Sequence, residues 1–255
     1  MDNLYRALQR AARKLGYNFE VQSFQKSAFP TYVEPEFIAL LRKYRAKTMV
    51  PWGGLHMAFR AARYIAKSQL PGAVVECGVW RGGCSFIMAE AISQICGPAY
   101  DFYMYDTYAG MSEPAEMDAS SSGSAIQFFK NARRKKNGAI DWCYASVDEV
   151  SSNALETGYP HERFKFVVGK VEDTIPKTVP EKIALLRIDT DWYESTRHEL
   201  EHLFPRLVSG GVLLCDDYGF WQGSQKAVDE YIADLKETFL LTVDSGTGRA
   251  IGMKR

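Results

Sequence analysis

Short apolar runs alternate with amphipathic segments from residue 73 onward. The apolar runs predict strands over 73–78, 102–106, 165–169, 183–189 and 211–217. Apolar residues at helical spacing predict helices over 84–95, 146–156, 196–208 and 224–237. Two further apolar runs flank Gly246 and Gly248, which predicts an antiparallel hairpin over 239–254. This alternation is typical of an α/β fold whose mostly parallel sheet carries helices on both faces.

The first 70 residues show helical patterns only, so we expect residues 1–70 to form a helical extension before a main domain over 71–255. Apolar residues within 1–20 recur at helical spacing with Arg and Lys between them, which predicts an amphipathic helix. A second helix is predicted over 54–68. We expect the extension to cover the substrate or to form a dimer interface, and the protein to be a homo-oligomer.

The segment over about 112–145 does not follow the alternation, because it is rich in Ser, Gly and charged residues. The segment follows the carboxyl end of the second predicted strand, and sheets of this kind bind ligands at the carboxyl ends of their strands. We therefore expect a lid insertion. The segment ends in a basic cluster over 133–136. A solvated face is the favoured interpretation of this cluster, and contact with an anionic substrate is the alternative.

Composition narrows the classes of partner. With 255 residues, 46% of them hydrophobic, the chain can form a large core. The 31 basic residues balance the 31 acidic ones, so there is no overall attraction to nucleic acid or to an anionic membrane. No run of about 18 apolar residues predicts a membrane span. Five cysteines without a CxxC pair indicate free thiols in a reducing compartment, which predicts a cytoplasmic protein.

Three predicted strands end in residues suited to a nucleoside-containing ligand. Glu76 and Gly78 follow the first strand, but Trp80 stands where a dinucleotide loop needs glycine. The turn therefore suits a ligand without phosphate, whose ammonium group Glu76 could bind; S-adenosylmethionine (SAM) is such a ligand. Asp106 ends the second strand and could accept both hydroxyl hydrogens of a ribose. Residues 170–173 follow the third strand and could hold an adenine edge, although each of these places alone could be an ordinary loop.

Two further strands end in paired carboxylates. Asp189 and Asp191 follow one strand, and Asp216 and Asp217 follow the next. Four carboxylates at one edge of a sheet repel one another, and a cation would offset this repulsion. An all-oxygen ligand set favours Mg²⁺ or Ca²⁺ over Zn²⁺. Two alternatives stay open: Arg187 could neutralise part of the charge instead, and some of the aspartates could be helix caps or turn residues.

Long motifs in the chain resemble one known family. The motifs are ECGVWRGG, YDTYAGM, GKVEDTIP, LRIDTDWYEST, SGGVLLCDDYG and GSQKAVDEY, in this order. They resemble the macrocin O-methyltransferases, class I methyltransferases that methylate sugar hydroxyls of natural products, over roughly residues 48–236. The resemblance implies a Rossmann-like fold with a mostly parallel seven-stranded sheet, SAM as methyl donor, and a divalent ion, usually Mg²⁺, with Ca²⁺ or Mn²⁺ as other choices.

The resemblance also implies roles for individual residues. The implied metal ligands are Asp189, Asp216 and Asp217, and the implied general base is Asp191. The implied cofactor-binding residues are Glu76 and Gly78 toward the methionine part, Asp106 at the ribose, and Val171 with Glu172 at the adenine. Ser85 is also expected to bind the cofactor. The 112–145 segment departs from the family pattern, so the resemblance leaves the acceptor, a small molecule or a glycan, unidentified.

Two other functions compete with this interpretation. Asp189-Thr190-Asp191 is formally a DxD sequence, as in a metal-dependent glycosyltransferase that binds a nucleotide sugar. A noncatalytic SAM-binding subunit is the other alternative, and the repelling carboxylates argue against it. A nucleic-acid substrate is not expected, because the chain has neither an NPPY-like motif nor a basic balance.

Overall fold

The computed structural model describes residues 29–136, 138–236 and 238–255. Its main sheet has seven strands in the order β5-β2-β1-β6-β7-β9-β8. The strands are β1 (Ala73–Cys77), β2 (Phe102–Asp106), β5 (Phe164–Val168), β6 (Ile183–Ile188), β7 (Leu207–Cys215), β8 (Leu241–Val243) and β9 (Ala250–Met253). All pairs from β5 to β7 are parallel, and β9 is antiparallel to both β7 and β8. The predicted mostly parallel sheet with a terminal hairpin is confirmed.

Helices cover both faces of this sheet. The helices are α1 (Pro35–Tyr44), α2 (Trp52–Lys67), α3 (Gly83–Cys96), α4 (Ala125–Asn131), α5 (Val147–Ala154), α6 (Val171–Thr174), α7 (Tyr193–Leu203) and α8 (Gln222–Ala233). Val74 on β1 packs in one core with apolar residues of α1, α2 and α3. Its neighbour Val75 packs in a second core with residues of α7 and α8. Successive strand residues point to opposite faces, so each buried strand contributes to both cores.

Several boundaries differ from the sequence-based prediction. The helix predicted over 196–208 ends at Leu203, and residues 207 and 208 belong to β7. The start of this helix differs for a tertiary reason. Helix α7 begins at Tyr193, three residues before the predicted start at 196. The carboxylate of Asp118 accepts a hydrogen bond from the Tyr193 backbone N–H at 2.9 Å. This acceptor comes from the distant 112–145 segment, so local sequence gave no signal of the earlier start.

The structure describes the N-terminal part of the chain only from residue 29 onward. The helix predicted over 1–20 lies outside the described residues. The helix predicted over 54–68 is confirmed as α2, and α1 precedes it without having been predicted. Within the described residues, no helix has the length and apolar character needed to cross a membrane.

The 112–145 segment is folded against the carboxyl edge of the sheet. It contains a short hairpin, β3 (Ala119–Ser120) with β4 (Gly123–Ser124), followed by α4. Trp142 of this segment packs in a third apolar cluster with Trp192 and Trp221, which precede α7 and α8. The cluster joins the segment to the amino-terminal ends of these two helices.

Candidate active site

A cavity of about 1610 Å³ opens at the carboxyl ends of the parallel strands. Its walls come from the loops after β1, β2, β5, β6 and β7, from the 112–145 segment, and from residues 29–52. The predicted site residues on the wall are Gly78, Asp106, Val171, Glu172, Asp189, Asp191, Asp216 and Asp217. The fold thus brings eight predicted residues from five strand ends to a single space.

Gly78 lies where the loops after β1 and β6 touch. Its φ is +83°, a left-handed conformation that favours glycine. A Cβ at this position would lie 1.9 Å from the carbonyl oxygen of Asp189. Only glycine therefore allows the ends of β1 and β6 to approach this closely.

Glu76 lies deeper than the sequence indicated, with 1% of its surface exposed. One carboxylate oxygen accepts a hydrogen bond from the Ser85 hydroxyl, and the other pairs with the Arg187 guanidinium at 2.5 Å. Burial raises the pKa of Glu76, and the Arg187 charge opposes this shift. Glu76 lines a separate cavity of about 40 Å³ that also touches Gly78 and Asp189.

Ser85 lies behind Glu76 rather than on the wall of the large cavity. Its side chain is fully buried, and its hydroxyl is used by the Glu76 carboxylate. The structure therefore places Ser85 as a support for Glu76.

Asp106 organises the loop after β1. One of its oxygens accepts hydrogen bonds from the backbone N–H groups of Val79 and Trp80 at 2.8 and 2.9 Å. The other accepts one from the Tyr108 N–H at 2.8 Å. Burial raises the pKa of Asp106, while these hydrogen bonds oppose the shift. The Asp106 carboxylate therefore lines the cavity and also holds the backbone of the loop after β1 in place.

The two residues predicted to lie at the adenine are at the start of α6. Val171 and Glu172 both line the large cavity. One oxygen of Glu172 accepts a hydrogen bond from the Ser195 hydroxyl of α7 at 2.7 Å. This bond links the loop after β5 to the helix that follows the Asp189-Thr190-Asp191 sequence.

The carboxylates predicted as metal ligands converge. Asp189, Asp216 and Asp217 each present an oxygen such that these atoms lie within 4.8 Å of one another. Asp217 also accepts a hydrogen bond from the backbone N–H of Asp191 at 3.2 Å. The ends of β6 and β7 are therefore tied together at the acidic cluster.

Two arginines neutralise part of the charge of the aspartates. The sequence had left open that Arg187 could do so. Arg187, 2% exposed, contacts Asp189 at 2.8 Å and Asp216 at 2.7 Å in addition to Glu76. Arg249 on the loop before β9 contacts the second oxygen of Asp216 at 2.8 Å. Burial alone would raise the pKa of Asp216, but the two guanidinium groups lower it to about 2.

Among the residues that the structure describes, Asp217 and Asp191 form no ion pair with Arg187 or Arg249. Burial and the charges of Asp191 and Asp216 hold the pKa of Asp217 well above its usual range. Burial and the neighbouring Asp189 carboxylate raise the pKa of Asp191 to about 8. Burial is the larger cause of both shifts, and the neighbouring carboxylates act in the same direction.

The donor set fits a divalent cation. The buried Glu76 and the four half-buried aspartates lie around two arginines, so five carboxyl groups face two guanidinium groups. The three converging ligand atoms are all carboxylate oxygens, as hard cations prefer. Arginine neutralisation and cation binding are therefore compatible at this cluster.

Several functional residues were missed or left undecided by sequence reasoning. Arg187 carried a signal, because a charged residue inside an otherwise apolar strand needs buried partners. The sequence around Arg249 and Asp118 gave no signal of their roles, because each contacts its partner from a distant segment of the chain. Trp221 was also missed: its indole N–H donates to an Asp191 oxygen at 2.5 Å.

The basic cluster over 133–136 does not itself line the cavity, although Lys135 pairs with Asp141, which does. Its residues are absent from the cavity wall within the described part of the chain. Lys135 pairs with Asp141 at 3.1 Å, and the guanidinium of Arg134 lies 5.9 Å from the ring centre of Phe129. The arrangement agrees with the favoured interpretation of a solvated face.

Comparison with known proteins identifies the family. A family model described as macrocin O-methyltransferase (TylF) matches residues 42–245, which is well over half of the chain. The chain belongs to the macrocin O-methyltransferase family. The predicted resemblance is confirmed.

Curated relatives of this family member are named as O-methyltransferases. One, from Streptomyces olivaceus, is an 8-demethyl-8-(2,3-dimethoxy-alpha-L-rhamnosyl)-tetracenomycin-C 4'-O-methyltransferase; it is 30% identical over 186 residues, 73% of this chain and 67% of the relative. Another, the mycinamicin III 3''-O-methyltransferase of Micromonospora griseorubida, is 30% identical over 191 residues, 73% of this chain and 70% of the relative.

A solved structure supports the same fold. The O-methyltransferase NovP is similar with a TM-score of 0.67 and 26% identity, and the match covers 82% of each chain. This family member is therefore an O-methyltransferase with the class I fold that uses SAM. The glycosyltransferase and noncatalytic interpretations are set aside, because the family is one of methyl-transferring enzymes.

Proposed function

We propose that the protein transfers the methyl group of SAM to a sugar hydroxyl of a glycosylated natural product, in a reaction that depends on Mg²⁺. The observation that carries the proposal is the convergence of Asp189, Asp216 and Asp217 beside Asp191 on the wall of one large cavity. The names of the relatives, which act on a rhamnosyl tetracenomycin and on a mycinamicin, support a glycosylated acceptor.

The donor side of the cavity suits SAM. Gly78, Asp106, Val171 and Glu172 come from three successive strand ends and lie on one wall. We propose that SAM lies along them, with its ribose toward Asp106 and its adenine toward Val171. Glu76 is proposed to act on the methionine end, through the small cavity that it shares with Gly78.

The acceptor side supplies charge and a base. We propose that Asp189, Asp216 and Asp217 hold the cation, which when bound favours the ionised form of a nearby alcohol. Asp191 is proposed as the general base that takes the hydroxyl proton while the oxygen attacks the methyl carbon and the carbon–sulfur bond breaks. Trp142 and Trp221 help to exclude water from this side, since both are buried and line the cavity.

The test uses purified protein, methyl-labelled SAM and a panel of glycosylated natural products. We expect label to appear in the product only when Mg²⁺ is present, and exhaustive chelation to abolish transfer. Asp217→Ala should lower kcat by about 100-fold or more, because it removes a ligand of the cation that favours the ionised form of the acceptor hydroxyl. Its affinity for S-adenosylhomocysteine should stay within about threefold of the parent.

The control variant is Asp229→Ala on the exposed side of α8, where Asp229 accepts a hydrogen bond from Tyr218 at 2.7 Å. Its kcat should match that of the parent. Full activity after chelation would refute the dependence on a cation. Absence of transfer to every glycoside, with transfer to an aglycone phenol, would refute the sugar acceptor.

A further inference from the structure

Asp191 is held in an unusual conformation by contacts on two sides. Its φ is +68°, in the left-handed region that side chains other than Gly, Asn and Asp rarely adopt. Its backbone N–H donates to Asp217, and one oxygen of its side chain accepts from the indole N–H of Trp221. Backbone and carboxylate are thus oriented by different partners.

The indole bond leaves the two carboxylate oxygens inequivalent. Oδ1 is taken by the Trp221 Nε1–H at 2.5 Å. A carboxylate has two oxygens, so fixing one directs the other. With Oδ1 held by the indole, the direction of Oδ2 in the cavity that both residues line is fixed as well, and the Asp217 side chain lies next to the same carboxyl group.

Trp221 is itself held by the 112–145 segment. Its ring packs edge to face on Trp192, with ring centres 5.1 Å apart, and Trp192 packs in the same way on Trp142 at 5.8 Å. The Trp192 indole N–H donates to the carbonyl oxygen of Ser112 at 3.1 Å. The three rings therefore connect this segment to the Asp191 carboxylate.

We propose that Trp221 is a positioning residue for methyl transfer: its indole N–H orients the Asp191 carboxylate, and the 112–145 segment holds the indole in place through Trp192 and Trp142. This inference rests on the proposed function, because it takes Asp191 as the general base. A positioning role differs from simple packing, since it needs the N–H group and not only the ring.

The first test compares two substitutions that each remove one hydrogen bond to a carboxylate and keep an aromatic ring. Trp221→Phe should lower kcat about tenfold, the cost expected for a hydrogen bond to a charged group, with the acceptor KM within about twofold of the parent. Tyr193→Phe is the control: it removes the bond from the Tyr193 hydroxyl to Glu230, which lies off the cavity wall, and should change kcat less than threefold. Equal losses of kcat in the two variants would overturn the proposal.

The second test asks whether the effect passes through Asp191. In an Asp191→Asn background, Trp221→Phe should change the remaining kcat less than twofold, because the oriented base is already absent. A further tenfold loss in that background would overturn the proposal. If Asp191→Asn alone leaves kcat unchanged, the assignment of the base fails, which is a different outcome from a failure of the positioning role.

A third variant guards against misfolding of Trp221→Phe. Benzothienylalanine at position 221 has nearly the shape of tryptophan, with sulfur in place of the N–H. We expect it to retain the parent's melting temperature within about 2 °C and still to lose kcat about tenfold. Parent-like kcat with this residue would show that only the ring matters and would overturn the proposal.

Discussion

The carboxylates on the proposed donor side of the cavity, Glu76 and Asp106, have different partners from those on the proposed acceptor side, the four aspartates at the ends of β6 and β7. On the donor side, both oxygens of Glu76 and of Asp106 have partners within the protein. On the acceptor side, only Asp216 has both oxygens paired with arginine, and the pKa values of Asp217 and Asp191 are raised by burial and unbalanced charge. The donor side is therefore preorganised by the protein alone, whereas the acceptor side retains unbalanced negative charge.

Arg187 is the residue that joins the two sides. Its guanidinium contacts Glu76 on the donor side and Asp189 and Asp216 on the acceptor side. Removing Arg187 would take a shared buried counter-charge from the carboxylates of both sides. We therefore expect the largest loss of stability from a substitution at this position.

Arg187→Met should lower the free energy of unfolding by about 3 to 5 kcal/mol, since it leaves buried carboxylates uncompensated. Urea denaturation followed by circular dichroism measures this loss. The matched control is Arg163→Met, which breaks the exposed pair with Asp101 and should cost less than about 1 kcal/mol. A loss for Arg187→Met as small as that of the control would show that the two sides are not held by a shared counter-charge.

Asp106→Asn tests whether a carboxylate on the proposed donor side affects cofactor affinity, whereas Asp217→Ala is expected to affect kcat. An amide at position 106 presents an NH₂ group to backbone N–H donors, so at least one of the bonds from Val79, Trp80 or Tyr108 is lost. We expect a loss of stability of about 1 to 3 kcal/mol and a roughly tenfold weaker affinity for S-adenosylhomocysteine, measured by calorimetry. Unchanged affinity, together with a loss of kcat alone, would place Asp106 on the acceptor side of the reaction.

The smallest effect is expected at Asp118, which caps α7 from the 112–145 segment. Asp118→Ala should cost about 1 kcal/mol and raise the acceptor KM, because Tyr193 and Ala115 lose the acceptor for their N–H groups. Ser146→Ala is the control: it removes the cap of α5, where the Ser146 hydroxyl accepts from the Glu149 N–H. A similar loss of stability in both variants with the same acceptor KM would separate the segment from acceptor binding.

Most of the fold could be predicted from local patterns. The run FYMYD, bounded by polar residues, predicted β2 with the bounds that the structure has. Helix α7 begins earlier than predicted because its first N–H group, that of Tyr193, donates to Asp118, a tertiary contact. Periodicity describes the face that a segment buries and carries no information about a cap supplied from 75 residues away.

The candidate site was predictable to the extent that it lies at strand ends. Asp189 and Asp217 follow apolar strands directly, so the parallel sheet alone brings them to one edge. Arg249 follows no such rule, because it lies in the terminal hairpin and reaches Asp216 only after β9 pairs with β7. Trp221 bonds Asp191 through a side-chain orientation that strand order does not determine.

The contact at Gly78 has a practical consequence for protein engineering. Libraries meant to broaden the range of acceptors should keep position 78 constant, since any added side chain would displace the Asp189 backbone. Diversity is better placed at Met49, which lines the cavity and is 39% exposed, than at Phe220, whose ring packs on Trp221 with ring centres 5.0 Å apart. Changes at Met49 would alter the cavity wall while leaving Gly78 and its close approach to Asp189 unchanged.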